Sequence, residues 1–87
     1  MEVLAGNISY MDKNEVSSLI DSYRDLNKSN PRKALVSAQD AYDICKNLNF
    51  EEGKVKALIT MGESFYALSE YELSLQKFYE ALSPALE

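Results

Sequence analysis

Apolar and small side chains recur at intervals of three and four along most of this chain, with polar residues between them. The pattern is densest from Asn49 to Ala81. Val55, Leu58, Met61, Gly62, Phe65 and Leu68 line one side of a first segment there, and Tyr71, Ser74, Phe78 and Ala81 one side of a second. Such spacing has the period of a helix and not of a strand. The link Ser69-Glu70-Tyr71 leaves room only for an antiparallel helical hairpin. The first half carries the same theme more weakly, with Val16, Leu19, Ile20, Tyr23 and Leu26, then Ala34, Leu35, Ala38, Ala41, Tyr42 and Cys45. The expected fold class is all-α: four main helices in two hairpins, residues 12–48 and 49–83. Residues 1–11 read as an N-terminal end or a partial capping helix over Glu2 to Ala5, and residues 84–87 as the truncated start of a next element.

Local chemistry places the helix ends. Asp12 followed by Glu15 spells a capping box, and Met11 with Val16 a hydrophobic staple. Asn27 to Asn30 form a turn; Asn30 then caps a second helix whose first residue is Pro31, where a missing N–H costs nothing. That helix is expected to run to Asn47 or Leu48. A third helix is expected from Asn49, with Glu52 completing its capping box, and to end near Leu68. A fourth follows Ser69, with Ser69 and Glu72 as reciprocal caps, and ends near Leu82. Pro84 then either opens a further short helix or kinks and breaks the fourth; the kinked or broken end is the reading preferred. Gly53, in the first turn of the third helix, costs about 1 kcal/mol against alanine, which implies close passage over the second helix.

Composition removes several function classes. The 87 residues allow one small domain, and such a chain buries only roughly 60% of its unfolded surface. Net charge is −5, from 9 basic and 14 acidic residues. The basic residues are scattered, which argues against a nucleic-acid binder. Six tyrosines are present, Tyr10, Tyr23, Tyr42, Tyr66, Tyr71 and Tyr79, and without basic company they read as packing residues rather than base-stacking platforms. There is no histidine and one cysteine, Cys45, so neither a zinc site nor a Cys/His or Ser/His nucleophile can be assembled within the chain. Cys45 lies on the packed side of its helix and reads as a structural thiol. The pairs Glu51/Glu52 and Glu70/Glu72 fall at helix starts, where the dipole accounts for them. No apolar run approaches the ~18 residues of a membrane span, and the start lacks a signal-peptide pattern. The expectation is a cytoplasmic, non-enzymatic chain that needs no cofactor or metal.

Ala34, Ala38 and Ala41 are spaced as are Ser74, Phe78 and Ala81, 40 residues later. A helix pair recurring at such a period is the mark of a helical solenoid. The second unit resembles a tetratricopeptide repeat. Leu58, Met61-Gly62 and Phe65 stand where that family has a large residue, leucine-glycine and an aromatic. Tyr71 stands at its turn aromatic, and Ser74, Phe78 and Ala81 at its small, aromatic and small positions. The first unit keeps Ala34, Ala38 and Ala41 but has Ile20 where glycine is expected. The long link between units is similar to the forty-residue subclass common in bacterial sensory and regulatory proteins.

The resemblance implies an alpha-alpha superhelix in which the first helix of each pair lines a concave groove. By position the groove residues are Asn14, Ser17, Asp21, Arg24 and Asp25, then Lys56, Ile59, Glu63 and Tyr66. It further implies a non-catalytic module that binds a peptide or partner protein there, as the regulatory part of a larger signalling protein. Ile59 and Glu63 occupy two places where chaperone-binding members carry a carboxylate clamp, so a neutral or basic segment suits the groove better. The competing reading is a structural or dimerisation segment whose Ile59 and Tyr66 pack against a neighbouring helix. Two repeats leave apolar ends uncovered, so either the chain belongs to a longer array or a homo-oligomer closes those ends.

Overall fold

The computed structural model describes the backbone of residues 12–86 and the side chains of residues 12–83. Four helices follow one another: α1 (Lys13–Leu26), α2 (Pro31–Asn47), α3 (Glu51–Ala67) and α4 (Tyr71–Leu86). The fold is all-α. The Glu2 to Ala5 helix, the Met11 staple and the side chains of residues 84–87 lie outside the described residues.

The first two starts follow the sequence closely. Asp12 accepts from the Glu15 N–H at 2.8 Å, and the Glu15 carboxylate accepts from the Asp12 N–H at 3.0 Å. Asn30 accepts from the Lys33 N–H at 3.1 Å, with Pro31 next in line. The last two starts differ. Asn49 does not cap α3: it sits in the left-handed region at φ 54° and ends α2. The Phe50 N–H there donates to Cys45 O at 2.9 Å, and the Asn49 N–H to Lys46 O at 3.2 Å. Ser69 repeats the arrangement at φ 65°, with Glu70 N–H donating to Phe65 O at 2.8 Å and Ser69 N–H to Tyr66 O at 3.0 Å. Both turns are Schellman closures, in which one left-handed residue lets two N–H groups satisfy the free carbonyls of a helix end. Helix start α3 therefore has no side-chain cap at Phe50. The third correction is at the far end. The helical backbone of α4 passes through Pro84 to Leu86, so residues 84–86 continue α4 and begin no new element.

Helix α3 is the centre of the molecule and packs on α1, α2 and α4. Its buried face is wider than the single stripe expected. Leu58, Met61 and Gly62 are buried, Val55, Phe65 and Leu68 only half so, and Ala57, Thr60 and Ser64 are buried on a second side. One core cluster joins Val16 and Ile20 of α1 to Ala41 and Cys45 of α2 and Ala57 of α3. The other joins Ala38, Leu58, Met61 and Ala81. Ala34, Ala38 and Ala41 are buried, and their small size is what lets α2 approach its neighbours.

Two glycines set the closest approaches. A Cβ on Gly53 would fall 2.5 Å from Cys45 Sγ and 2.5 Å from the Phe50 ring, so α3 passes directly over the end of α2. A Cβ on Gly62 would fall 2.4 Å from the Phe78 ring. Ser74 sits at the same crossing and its Oγ donates to Gly62 O at 2.7 Å. Gly62 and Ser74 thus face each other as expected. Tyr71 does not join this packing: it is 59% exposed, and its ring lies beside that of Tyr66, 5.3 Å away between centroids. The crossing predicts that Gly62→Leu lowers stability by about 1–3 kcal/mol through overpacking. Thermal unfolding should show a clearly lower midpoint for that variant; an unchanged midpoint would contradict the close crossing.

Candidate functional site

Parallel helices α1 and α3 lie side by side, and the residues singled out as a groove meet across their seam. Lys56 Nζ donates to Ser17 Oγ at 2.8 Å and pairs with the Asp21 carboxylate at 2.8 Å. Arg24 makes a two-point contact with Glu63, 3.2 Å from Nε and 2.9 Å from Nη2. The Glu63 hydrogen bond, helped by its charge and that of Asp21 against some desolvation, raises the Arg24 pKa above its ordinary value. Asp21, Arg24, Asp25, Asn27, Lys28 and Glu63 line a shallow depression of about 420 Å³. Asp25 is highly exposed and has a loose partner in Lys28 at 3.6 Å.

This changes the expected character of the face. Asp21 and Glu63 are engaged by Lys56 and Arg24, so the acidic surface anticipated for a basic peptide is largely neutralised. Asn14 stands apart from the group, beside Glu15, Ser18, Leu19 and Ser22 on the outer side of α1. Ile59 is half-buried and packs on the Leu58–Met61 cluster. Tyr66 is 65% exposed. Of the tyrosines expected to be mostly packing residues, Tyr71 and Tyr79 are instead exposed and Tyr23 and Tyr42 are half-buried, while Tyr66, also expected in the groove, is exposed; Tyr10 lies outside the described residues.

Behind the charged seam lies a polar cluster that the apolar pattern does not reveal. Ser64 Oγ donates to Asn27 Oδ1 at 2.6 Å, Asn27 Nδ2 donates to Thr60 O at 3.4 Å, and Thr60 Oγ1 donates to Lys56 O at 2.9 Å. Thr60 and Ser64 are fully buried. The signal was available: small hydroxyl residues four apart on a helix otherwise apolar around them, and an asparagine at the end of α1.

On the opposite side of the molecule, Asp40 and Asp43 of α2 face Lys77 and Glu80 of α4 over Leu58 and Met61. The Cys45 thiol is fully buried, which pushes its pKa up, with Lys54 opposing in part. Tyr23 is raised as well, by burial first and then by Asp40. Among the described residues, no three of His, Cys, Asp and Glu are grouped so as to hold a metal ion, and no helix is long and apolar enough to cross a membrane.

No protein-family model, curated protein or solved structure matches this chain.

Two predictions follow from these contacts. Asn27→Ala removes the two side-chain bonds between the end of α1 and α3, while Ser64 Oγ keeps its bond to Thr60 O at 3.0 Å, and should destabilise by about 0.5–1.5 kcal/mol. Urea unfolding of this variant beside Asn27→Asp, which keeps the acceptor for Ser64, checks the assignment. The second concerns pH. A folded thiol titrating above its unfolded value of about 8.5 holds its proton longer in the native state. Its contribution is whole below that value and is lost as pH rises through the folded pKa, and Tyr23 acts in the same sense higher up. Urea midpoints should therefore fall between pH 8 and 10 more steeply for the native chain than for Cys45→Ala.

Proposed function

We propose that this chain is a non-catalytic protein-interaction module, a short tetratricopeptide-like array that binds a peptide or partner protein along the α1–α3 face. The observation that carries this reading is the surface itself. Helices α1 and α3 run parallel and are tied by Lys56–Asp21 and Arg24–Glu63, with a shallow depression between them, and Tyr66, three residues after Glu63 on α3, is exposed. A rigid, mixed-charge surface with one aromatic anchor suits recognition of an extended or helical segment. Internal pairing of the acids favours a ligand of low net charge, and Asp25 and Lys28, highly exposed and paired loosely at 3.6 Å, are the charges left to select its ends. The residue pattern of the second hairpin and the close Gly62–Ser74 crossing support the tetratricopeptide likeness. A regulatory place in a larger bacterial signalling protein, in the cytoplasm, fits the same likeness.

An array of peptides of varied charge tests this, probed with the native chain, Tyr66→Ala and Asp25→Lys. Peptides of low net charge should bind the native chain and lose about tenfold in affinity to Tyr66→Ala, with helicity unchanged. Asp25→Lys should shift the preferred peptides toward acidic ends. If no peptide binds and the variants alter only self-association, the chain is a structural or dimerisation segment instead.

A further inference from the structure

Helices α2 and α4 hold matching places in the two hairpins, and their sequences correspond at an offset of 40 residues. At that offset Leu35 matches Leu75, and Tyr42 matches Leu82. Leu35 and Tyr42 are half-buried and pack on the cluster that Leu58 and Met61 of α3 help to form. Leu75 and Leu82 are 55% and 53% exposed. The same side of the same element is covered in one hairpin and bare in the other. Tyr71 and Tyr79 extend the bare strip at helical spacing.

We infer that this strip seats an amphipathic helix of a partner protein, laid along α4 as α3 is laid along α2, with apolar side chains inward and basic side chains at its edges. Charge decides the second half of that description. Glu72 and Glu80 line the depression beside Leu75 and Tyr79, and no basic side chain among the described residues lines it. Lys77 is the one cation in α4 and stands on the other side, near Asp40 and Asp43 and 3.5 Å from Glu80. A basic edge on the incoming helix would meet Glu72, which pairs with no cation among the described residues, and Glu80, shared with Lys77 at 3.5 Å, as Lys56 of α3 meets Asp21 of its neighbour.

The α1 helix of a second copy does not fit the seat. Val16 and Ile20 of α1 stand 42 residues before Leu58 and Gly62, which puts Glu15 in the place of Ala57. Ala57 is fully buried among Val16, Ile20, Ala41 and Cys45. A carboxylate in that position would lose its water with no cation beside it. The inference concerns α4 and stands apart from the α1–α3 face.

A phage-displayed library tests it: helical peptides of 17 residues, the length of α3, with Leu and Ala fixed at spacings of three and four and the other positions varied among Lys, Glu and Gln. Selection on the 87-residue chain should enrich net-basic sequences. Their affinity should fall about tenfold or more against Leu75→Glu/Leu82→Glu, and against the milder Tyr79→Ser, while Asp25→Lys leaves it unchanged. Both α4 variants alter exposed side chains, and circular dichroism should show native helicity. The inference is overturned if nothing is enriched, if acidic helices are selected equally, or if the α4 variants bind as well as the native chain. It is also overturned if sedimentation finds the native chain self-associated and Leu75→Glu/Leu82→Glu monomeric, since a second copy would then own the strip.

Discussion

The crossing of α3 and α4 at Gly62 is the constraint on which the rest of the molecule depends. The Phe78 ring lies where a Cβ of residue 62 would be, and Ser74 reaches the Gly62 carbonyl with its hydroxyl. A helix carbonyl that accepts a second hydrogen bond from a neighbouring helix ties the two backbones together at short range. Helix α3 is held in this way on one side while Gly53 brings it onto the end of α2 on another. With both approaches fixed, its remaining side is set against α1, and the ion pairs of the seam fall into reach.

That placement explains why the polar residues of α3 divide as they do. Those facing α1 are consumed by the fold: Lys56 and Glu63 bridge to Asp21 and Arg24, Ser64 donates to Asn27, and the Thr60 hydroxyl turns back to Lys56 O. Exposed pairs such as Arg24–Glu63 contribute little to stability, in the range of about 0.2–1 kcal/mol. Their importance is to fix the relative register of parallel helices and to leave a surface of nearly balanced charge. The buried hydroxyls differ in kind: both bond carbonyls of α3 itself, and only Ser64 also reaches Asn27 at the end of α1.

Much of the fold was legible beforehand because it rests on local rules. Asp12 with Glu15, and Asn30 with Pro31, mark helix starts through bonds between residues three apart, and such bonds are visible in a linear string. Asn49 and Ser69 misled for an equally local reason. Residues that cap the start of a helix by their side chains can also end the preceding one by adopting a left-handed backbone, and both needs fall within the same short turn. Pro84 was expected to kink or break the end of α4; the helix is not broken there, and its last turn carries Pro84 within helical backbone.

The sequence by itself determined the number of helices, their pairing into hairpins and the Gly62–Ser74 contact, since periodicity and side-chain size act between neighbours along or across one hairpin. Only the tertiary structure decided which candidate surface residues remain free. Asp21 and Glu63 look like open carboxylates in the string, but their partners lie some 40 positions away, on a helix whose register depends on the packing of the whole chain. Tyr71 looks like core in the string, on the stripe of Ser74, Phe78 and Ala81, because helical period records which residues share a face. It does not record whether another helix is present to cover that face.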